Sequence, residues 1–342
     1  MTRILQVIAG AHHGGAETFF VDLVTALHGS GVEQRVVMRR NPARAEILRQ
    51  AGIEPVELAF GGLFDLGTRR AIKREIAAWK PDIVQSWMNR ATRHCPRGEF
   101  IHVGWLGGYY KPRNYRRCDH VVGVTPGIVD HLKTNGGWPD DRAHFLPTLA
   151  VDEPAVPLAR STFDTPEDAA LLLALGRLHW KKAFDVLLKA VAEVEEVNLW
   201  IAGDGPLEDD LKRLCRELGL DGRVRFLGWR DDREAMLKAA DICIMPSRYE
   251  PFGTVMVEAW AQKVPVITTS CAGPLEFIKH DKNGLLVPID DVAALAQAIR
   301  RLMTDKEVFA RLAEGGHADY QAQFSKPRVV ELWREFLAGI VS

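Results

Sequence analysis

The stretch RILQVIAGAHHGGAETFFVDLVTALHGSG, residues 3–31, indicates the fold class. Its first eight residues form a short, mainly apolar run of the kind that fills a buried parallel strand. A glycine-containing loop follows, and then Phe20, Leu23 and Leu27 recur at helical spacing until glycines close the helix. A buried strand joined by a short loop to an amphipathic helix is the repeating unit of an α/β protein with a parallel sheet.

The same alternation of strands and helices continues in two blocks. In the first block, further strands are predicted at 34–40, 54–60 and 82–87. Residues 151–168, VDEPAVPLARSTFDTPED, are rich in proline and acidic side chains and lack a period, which predicts an interdomain linker. The alternation then restarts with an apolar strand at 170–176. The sequence therefore predicts two doubly wound, Rossmann-like domains that face each other across a ligand-binding cleft.

The composition restricts the class of protein. The 342 residues are too many for one ordinary core, and 47% hydrophobic with 26% charged residues is typical of a soluble globular protein. A net charge of −1 predicts no general attraction to nucleic acid. Five scattered cysteines without a CxxC pair favour a reducing compartment over disulfides or a zinc site. The N-terminus does not resemble a signal peptide, so we expect a cytoplasmic protein.

The loop AHHGGAE at 11–17 can bring its backbone close to a ligand. Adjacent glycines at 14 and 15 permit that approach, and the helix after them offers free N–H groups to a phosphate or a sugar oxygen. The pattern is not GxGxxG, so a nicotinamide dinucleotide is not favoured. Taken alone, the loop is slightly better explained as a plain tight turn.

Two cations follow the strand at 170–176, within the segment GRLHWKKAFD. Arg177 and Lys182 lie across a turn that leads into a helix, where two fixed cations can hold a diphosphate without a metal. Taken alone, the pair is more simply explained as surface charge on a loop. Farther along, GDGP at 203–206 joins a strand to a helix, and its glycines are predicted to serve backbone geometry.

Two glutamates enclose a turn and a helix start in EPFGTVMVE, residues 250–258. Glu250 is predicted at the carboxyl end of a strand, and the N–H groups at the helix start can receive an anion or sugar hydroxyls. Glu258, one turn into the helix, can accept hydrogen bonds from a diol such as a ribose. Two glutamates chosen at random are usually surface acids, so this segment predicts a site only in combination with the other motifs of the second block.

The motifs GRL…K, GDGP, V-x-F-L-G and E-x7-E around PFG occur in one order between residues 170 and 290. In that order they resemble the retaining, nucleotide-sugar-dependent glycosyltransferases of family 4, which have the GT-B fold. The resemblance implies that Arg177 and Lys182 hold the donor diphosphate, that Glu258 binds the ribose and that Glu250 faces the donor sugar. Catalysis would fall to Glu250, Arg177 and Lys182. Further donor contacts are implied at Gly15, Leu227, Trp229, Phe252, Gly253, Thr254 and Val255.

The resemblance also implies a division of labour between the domains. Residues 1–155, completed by a C-terminal helix at about 325–342, would bind the acceptor, and residues 156–324 would bind the donor. The reaction implied is hexosyl transfer with retention to a glycan or glycolipid, in the synthesis of cell-envelope polysaccharide or lipopolysaccharide. No cofactor is expected, and the absence of a D-x-D motif predicts no metal. The alternatives are a nucleotide-sugar epimerase of the same fold and a non-catalytic nucleotide-sugar-binding module.

A basic and aromatic region precedes the linker. Its cations are Arg90, Arg93, Arg97, Lys111, Arg113, Arg116 and Arg117, and its aromatic residues are Trp87, Trp105, Tyr109 and Tyr110. This composition predicts a lip for an anionic glycan or lipid acceptor, with contact to the inner face of an anionic membrane left open. A solvated basic face explains it equally well, and nucleic acid is not favoured. Acceptor-side candidates are Trp87, Asn89, Arg90, Gly107 and Tyr109.

One departure from the family concerns a histidine that many members carry in the acceptor domain. The corresponding place in this sequence is Gly107 or Gly108, and His102, at the start of the preceding strand, is not a safe substitute. The departure leaves the details of sugar positioning open and leaves the transferase prediction in place.

Overall fold

The first of two units is built around a parallel sheet. The computed structural model describes residues 2–12, 14–62, 65–152 and 155–341, and it divides into Met1–Leu149 with Lys326–Ser342, and Ala150–Ser325. The strands of the first unit are β1 (Arg3–Ile8), β2 (Glu33–Arg39), β3 (Val56–Leu58), β4 (Ile83–Trp87), β5 (Ile101–Leu106), β6 (His120–Gly123) and β7 (Ala143–Phe145). Their order is β3-β2-β1-β4-β5-β6-β7, with every pairing parallel.

Helices connect these strands as the βα alternation predicts. They are α1 (Gly15–Gly29), α2 (Pro42–Gln50), α3 (Leu66–Trp79), α4 (Met88–His94) and α5 (Pro126–Gly136). Side chains cap several of them: Asn41, Asp65 and Thr125 each accept a hydrogen bond from a backbone N–H in the first turn. Such caps satisfy N–H groups that a helix leaves unbonded at its start.

The second unit repeats the architecture. Its strands are β8 (Ala170–Leu175), β9 (Val197–Ala202), β10 (Val224–Phe226), β11 (Ile242–Met245), β12 (Val266–Thr269) and β13 (Leu285–Val287), in the order β10-β9-β8-β11-β12-β13. Its helices are α6 (Phe184–Ala192), α7 (Glu208–Glu217), α8 (Arg233–Ala239), α9 (Thr254–Ala261), α10 (Ala272–Phe277), α11 (Val292–Thr304) and α12 (Lys306–Gln323). The predicted parallel α/β class is thus confirmed for both blocks.

The C-terminal helix α13 (Lys326–Val341) belongs to the first unit and packs against α1. Its Trp333 is fully buried and stacks on Trp87 with ring centroids 6.5 Å apart. Trp87 also contacts Phe20 and Trp105, and its indole N–H donates to Gln6 at 2.8 Å. These buried aromatic side chains stabilise the packing of α13 on the first unit, because large apolar side chains gain most free energy when they leave water.

The predicted linker is only partly a linker. Residues 158–168 pack on the second unit, where the backbone N–H of Leu158 bonds to the carbonyl of Ala235. Arg160 donates to the carbonyl of Ala239 and to the carboxylate of Asp241, at 2.8 and 3.0 Å. The linker prediction is therefore wrong for this stretch, because its polar composition reflects specific hydrogen bonds. In the part of the chain that the structure describes, no helix has the length and apolar character to cross a membrane.

A buried histidine lies in the first sheet. The His102 side chain on β5 is 4% exposed, and its Nε2 atom lies 2.9 Å from the hydroxyl of Ser86. Burial lowers the pKa of His102 to about 4, against the smaller opposing effects of a hydrogen bond to the Arg117 backbone and of the negative charge of Asp119. The ring is therefore neutral in the folded protein at pH 7 and stays neutral down to about pH 4. An exposed histidine, by contrast, is half protonated at about pH 6.5.

We expect the free energy of unfolding to fall as the pH is lowered from 7 to 4, because the unfolded chain takes a proton at His102 that the folded chain refuses. Below pH 4 both states are protonated and the effect levels off. A shift from 6.5 to about 4 corresponds to a loss of about 3 kcal/mol at this site. Urea unfolding from pH 7 to 4 should show a shallower pH dependence for His102→Gln than for the wild type. Equal slopes would contradict the assignment.

Candidate functional site

The candidate site lies at the carboxyl edge of the second sheet. Strand β8 pairs with both β9 and β11, so the chain leaves β8 toward one side and β11 toward the other. Doubly wound sheets bind ligands in the crevice that opens at such a point. The loops that leave these two strands, residues 176–183 and 246–253, carry the predicted cations and Glu250.

An ion pair joins the two loops. The ammonium of Lys182 lies 2.5 Å from Oε2 of Glu250, and the side chains are 25% and 11% exposed. Gly176 makes room for the lysine stem, since a Cβ at that position would lie 3.1 Å from Cε of Lys182. The structure thus brings two of the predicted catalytic residues into direct contact. The contact does not test their catalytic roles, which stay predictions.

The second glutamate is buried beside a different cation. Glu258 lies in α9, and its Oε1 atom is 2.6 Å from Nη1 of Arg233, the first residue of α8. Burial raises the pKa of Glu258, while Arg233 and, more weakly, Lys182 act to lower it. Arg233 was not predicted as a site residue, because nothing in the sequence links it to a glutamate 25 positions away.

We expect Arg233→Ala to lower the free energy of unfolding by about 3 kcal/mol at pH 7, because it leaves the Glu258 carboxylate buried without its cation. Protonation of Glu258 would remove that penalty, so the loss should shrink as the pH falls from 7 to 5. Urea unfolding at both pH values measures it. The control is Arg213→Ala, whose partner Asp210 is exposed and for which a change below about 1 kcal/mol is expected. A pH-independent loss, or none, would contradict the role of Glu258.

Arg248 fastens the two loops to each other. Its guanidinium donates to both carboxylate oxygens of Asp185, at 3.0 and 2.7 Å, and to Asp290 at 2.6 Å. Its backbone N–H bonds to the carbonyl of Lys181 at 2.8 Å. A bidentate arginine–carboxylate pair fixes orientation as well as distance. Arg248 therefore holds Lys182 and Glu250 in register, although it was not among the predicted residues.

The GDGP motif serves the backbone, as predicted. Gly203 has φ 143°, and a Cβ there would lie 2.0 Å from the carbonyl oxygen of Gly176. Gly205 has φ 156°, and its Cβ would lie 2.4 Å from the carbonyl oxygen of Leu178. The backbone N–H of Leu178 in turn bonds to the carbonyl of Asp204 at 2.7 Å. Only glycine permits this close approach of the loops after β8 and β9.

Helix α9 begins at the site. Gly253, with φ 101°, precedes it, and the N–H groups of Thr254 and Val255 stand in its first turn, where they lack intrahelical acceptors. The ring of Phe252 is turned away, 3% exposed and packed on Phe277 with ring centroids 5.5 Å apart. The predicted contribution of Phe252 can therefore come only from its backbone.

Three predicted donor contacts lie on the loops after β8 and β10. Arg177 is exposed, and its guanidinium forms no hydrogen bond or ion pair with any residue that the structure describes. Leu227 is fixed by a backbone bond to the carbonyl of Ile201 at 2.9 Å. Trp229 is 44% exposed, and its indole N–H donates to Asp231 at 2.9 Å. These side chains are accessible at the same sheet edge.

In the first unit, the glycine loop surrounds a buried carboxylate. Glu17 is 7% exposed and accepts a hydrogen bond from the backbone N–H of Ala11 at 2.7 Å. A Cβ at Gly10 or Gly14 would lie 2.6 or 2.4 Å from Glu17 atoms, so these glycines make room for it. Gly15 begins α1. His13 lies outside the described residues, and Glu17 was not among the predicted site residues.

The acceptor-side candidates divide into exposed and buried residues. Trp87 and Trp105 are at most 1% exposed, so the prediction that they line an open lip is wrong. The basic sequence around Trp87 gave no sign that Trp333 of α13 would stack on it. Asn89 accepts from the side-chain amide of Asn114 at 3.0 Å, and Arg90 is exposed.

The remaining acceptor-side candidates lie after β5. A Cβ at Gly107 would lie 2.7 Å from the Trp105 ring, so the chain there is closely packed. Tyr109 packs on His131, with ring centroids 5.6 Å apart. His102 is buried as described above, 4% exposed.

The five cysteines, which are Cys95, Cys118, Cys215, Cys243 and Cys271, are free and buried. Within residues 2–12, 14–62, 65–152 and 155–341, no three His, Cys, Asp or Glu side chains group in a way that could hold a metal ion.

Comparison with known proteins agrees with this architecture. Residues 157–319 match the family model described as glycosyl transferases group 1, and residues 13–149 match the model described as glycosyltransferase family 4. The chain is 37% identical over 337 residues to the lipopolysaccharide core biosynthesis glycosyltransferase LpsE of Rhizobium meliloti strain 1021, covering 95% of this chain and 96% of that one. It is 34% identical over 342 residues to LpsD of the same organism, covering 97% and 96%.

Among solved structures, Anabaena HepE in complex with UDP and glucose superposes with a TM-score of 0.84 at 20% identity, covering 99% of this chain and 100% of that one. That likeness extends over both units and concerns the fold. The two family models and the relatives at more than 30% identity point to the same family as this likeness in fold. The chain belongs to the group 1 glycosyltransferases of family 4 and is a glycosyltransferase with the GT-B fold.

Proposed function

We propose that this glycosyltransferase moves a hexose, with retention of configuration and without a metal, from a nucleoside diphosphate sugar to a glycan or glycolipid acceptor of the lipopolysaccharide core. The observation that carries the proposal is the ion pair of Lys182 and Glu250 at the carboxyl edge of the second sheet, with Arg177, on the same loop as Lys182, unpaired among the described residues. The acceptor class follows from relatives named as lipopolysaccharide core biosynthesis glycosyltransferases.

In this proposal the second unit binds the donor. The diphosphate carries most of the donor's negative charge, and more develops on it as the bond to the sugar breaks. Arg177, Lys182 and the N–H groups at the start of α9 are the described groups that can stabilise that charge. Glu258 and Trp229 would contact the ribose and the base. The first unit would bind the acceptor.

The proposed transfer breaks the bond between the anomeric carbon and the diphosphate oxygen. The acceptor hydroxyl forms a new bond to the same carbon on the same face, and its proton passes to the departing phosphate oxygen. The transition state has oxocarbenium character, so a carboxylate near the ring is favourable. Glu250 would orient the sugar and stabilise this positive character. A front-face reaction of this kind needs no covalent intermediate.

The test is incubation of the purified protein with UDP-, GDP- and ADP-sugars in the presence of EDTA, with and without a core oligosaccharide acceptor. We expect nucleoside diphosphate release from one donor and a product with the anomeric configuration of that donor. Inversion would contradict retention, and activity only with added Mg²⁺ would contradict metal independence. An isomerised nucleotide sugar without transfer would indicate the epimerase. Tight nucleotide binding without turnover, even with acceptor, would indicate a binding module.

A further inference from the structure

Two adjoining cavities in the first unit carry seven cationic side chains between them. The larger one, of about 650 Å³, is lined by Arg69, Arg70, Lys73, Arg97 and Arg117, besides two apolar residues. The smaller one, of about 270 Å³, shares Leu66 and Arg69 with it and adds Arg90 and Arg93. We refer to these seven cations and the cavities between them as the basic groove. Three of them, Arg69, Arg70 and Lys73, come from α3 and were not among the predicted acceptor-side residues.

Among the described residues, no side chain pairs with the cations of the basic groove. None of its seven cations forms an ion pair or a side-chain hydrogen bond with another described residue, whereas Arg35 and Arg49 in the same unit pair with glutamates. The acid that lines the groove, Asp65, accepts bonds from the backbone N–H groups of Gly61 and Thr68 at 2.6 and 2.9 Å. One capping carboxylate leaves a large positive excess. Cations gathered without partners repel one another and attract an anion.

The basic groove also has a suitable position. The smaller cavity lies at the carboxyl edge of the sheet, since Gly61 follows β3 and Arg90 lies on α4 directly after β4. This edge is where doubly wound sheets bind ligands. The larger cavity leads from there along α3 to Arg97 and Arg117, which precede β5 and β6 at the opposite edge. An elongated ligand can therefore enter at the functional edge and extend along α3.

The shape of the groove favours a saccharide over a lipid surface. A concave volume of about 650 Å³ is within the range of pockets that enclose small molecules. Membrane-binding surfaces instead present several apolar side chains beside their cations. Among the described residues of the larger cavity, the apolar ones are Leu66 and Pro96. Six of the seven cations are arginines, whose planar fork matches the two oxygens of a phosphate or carboxylate.

We propose that the basic groove binds a phosphate- or carboxylate-bearing part of the acceptor glycan, and that it determines selectivity for an anionic acceptor. This rests on the proposed function, because it assigns the acceptor of that reaction its charge. The groove binds a part of the acceptor that is remote from the hydroxyl that receives the sugar. It therefore contributes to acceptor affinity and has no part in the chemical step, which belongs to the second unit.

The test uses the triple variant Arg70→Gln/Lys73→Gln/Arg97→Gln, in which three exposed groove cations are neutralised. The matched control, Lys80→Gln/Lys326→Gln/Arg334→Gln, removes the same charge from exposed positions of the same unit outside the groove. The probe is a deacylated lipopolysaccharide core oligosaccharide, with a phosphatase-treated and a carboxyl-reduced form. We expect the groove variant to bind the untreated probe at least 10-fold more weakly by calorimetry, and the control to stay within about threefold.

The two treated probes distinguish the sources of the anion. Loss of affinity after phosphatase treatment identifies phosphate, and loss after carboxyl reduction identifies carboxylate. Equal binding of the wild type to untreated and doubly treated probes would overturn the proposal, as would equal binding by wild type and groove variant. Groove-dependent binding to phosphatidylglycerol vesicles without any saccharide preference would also overturn it and assign the groove to a membrane.

Donor assays separate this proposal from the proposed function. In the groove variant the apparent KM for the acceptor should rise at least 10-fold, with kcat and nucleoside diphosphate affinity unchanged. Groove-dependent oligosaccharide binding by a wild type that releases no diphosphate from any donor would sustain the groove and refute the transferase mechanism. Normal transfer by the groove variant, with an unchanged acceptor KM, would sustain the mechanism and refute the groove.

Discussion

Glu250→Ala is expected to lower the rate of sugar transfer by about 10²- to 10⁴-fold while changing the Kd for nucleoside diphosphate by no more than about threefold. The Glu250 carboxylate is 11% exposed, bonded to Lys182 at 2.5 Å, and placed where β11 gives way to α9. In the proposed reaction it acts on the sugar as positive charge develops. Its loss should therefore affect the transition state more than the bound donor.

Two variants make this test specific. Glu250→Gln keeps the size of the side chain and can still accept a hydrogen bond from Lys182, so a similar loss of rate would show that the negative charge matters. Glu314→Ala, which removes an exposed glutamate from α12 in the same unit, should leave transfer unchanged. Transfer at the wild-type rate by Glu250→Ala would remove Glu250 from the mechanism. A large loss of nucleotide affinity would instead make it a binding residue.

The double variant Arg177→Ala/Lys182→Ala is expected to weaken binding of the nucleoside diphosphate by about 10²- to 10³-fold, because each cation would donate a charge-assisted hydrogen bond to the diphosphate. Calorimetry with the diphosphate and with the free nucleoside measures the effect. Affinity for the nucleoside should hardly change. A nucleoside that also binds more weakly would indicate that the loop itself has moved.

The single variants refine the same prediction. Arg177 is unpaired in the described structure, so Arg177→Ala should act on the diphosphate alone. Lys182→Ala also leaves Glu250 without its cation and should slow transfer in addition. Lys181→Ala is the control, since its ammonium lies over the Tyr249 ring, 4.5 Å from the centroid. Diphosphate affinity unchanged in the double variant would refute the role given to these cations.

The fold was largely predictable because burial leaves its mark on the sequence. Strands such as β8, ALLLAL, are covered by helices on both faces, so nearly every side chain must be apolar. Helix boundaries were harder. The helix that follows GDGP begins only at Glu208, because Gly205 has a non-helical φ of 156° where a Cβ would meet the carbonyl oxygen of Leu178 on a neighbouring loop. A contact of that kind depends on two loops meeting and has no local signature.

The candidate site was predictable only in part, for a related reason. Lys182 and Glu250 lie on loops that a parallel sheet necessarily brings to one edge, so their proximity followed from the strand order. The partners of buried charges did not follow. Arg233 reaches Glu258 from another helix, and Trp87 is covered by Trp333 from the far end of the chain. Such pairings depend on packing angles, which hydrophobic periodicity does not specify.

The connections made by Arg248 have a consequence for engineering. The loop after β11 is attached through the Arg248 guanidinium to Asp185 on α6 and to Asp290 ahead of α11, and the backbone of Arg248 bonds to Lys181 in the loop after β8. Segments far apart in the chain thus behave as one module. A chimaera that imports residues 176–183 from a relative with a different donor should retain its geometry only if positions 185, 248 and 290 are exchanged with it. Changes of sugar preference among related enzymes are therefore expected to involve these positions as a set.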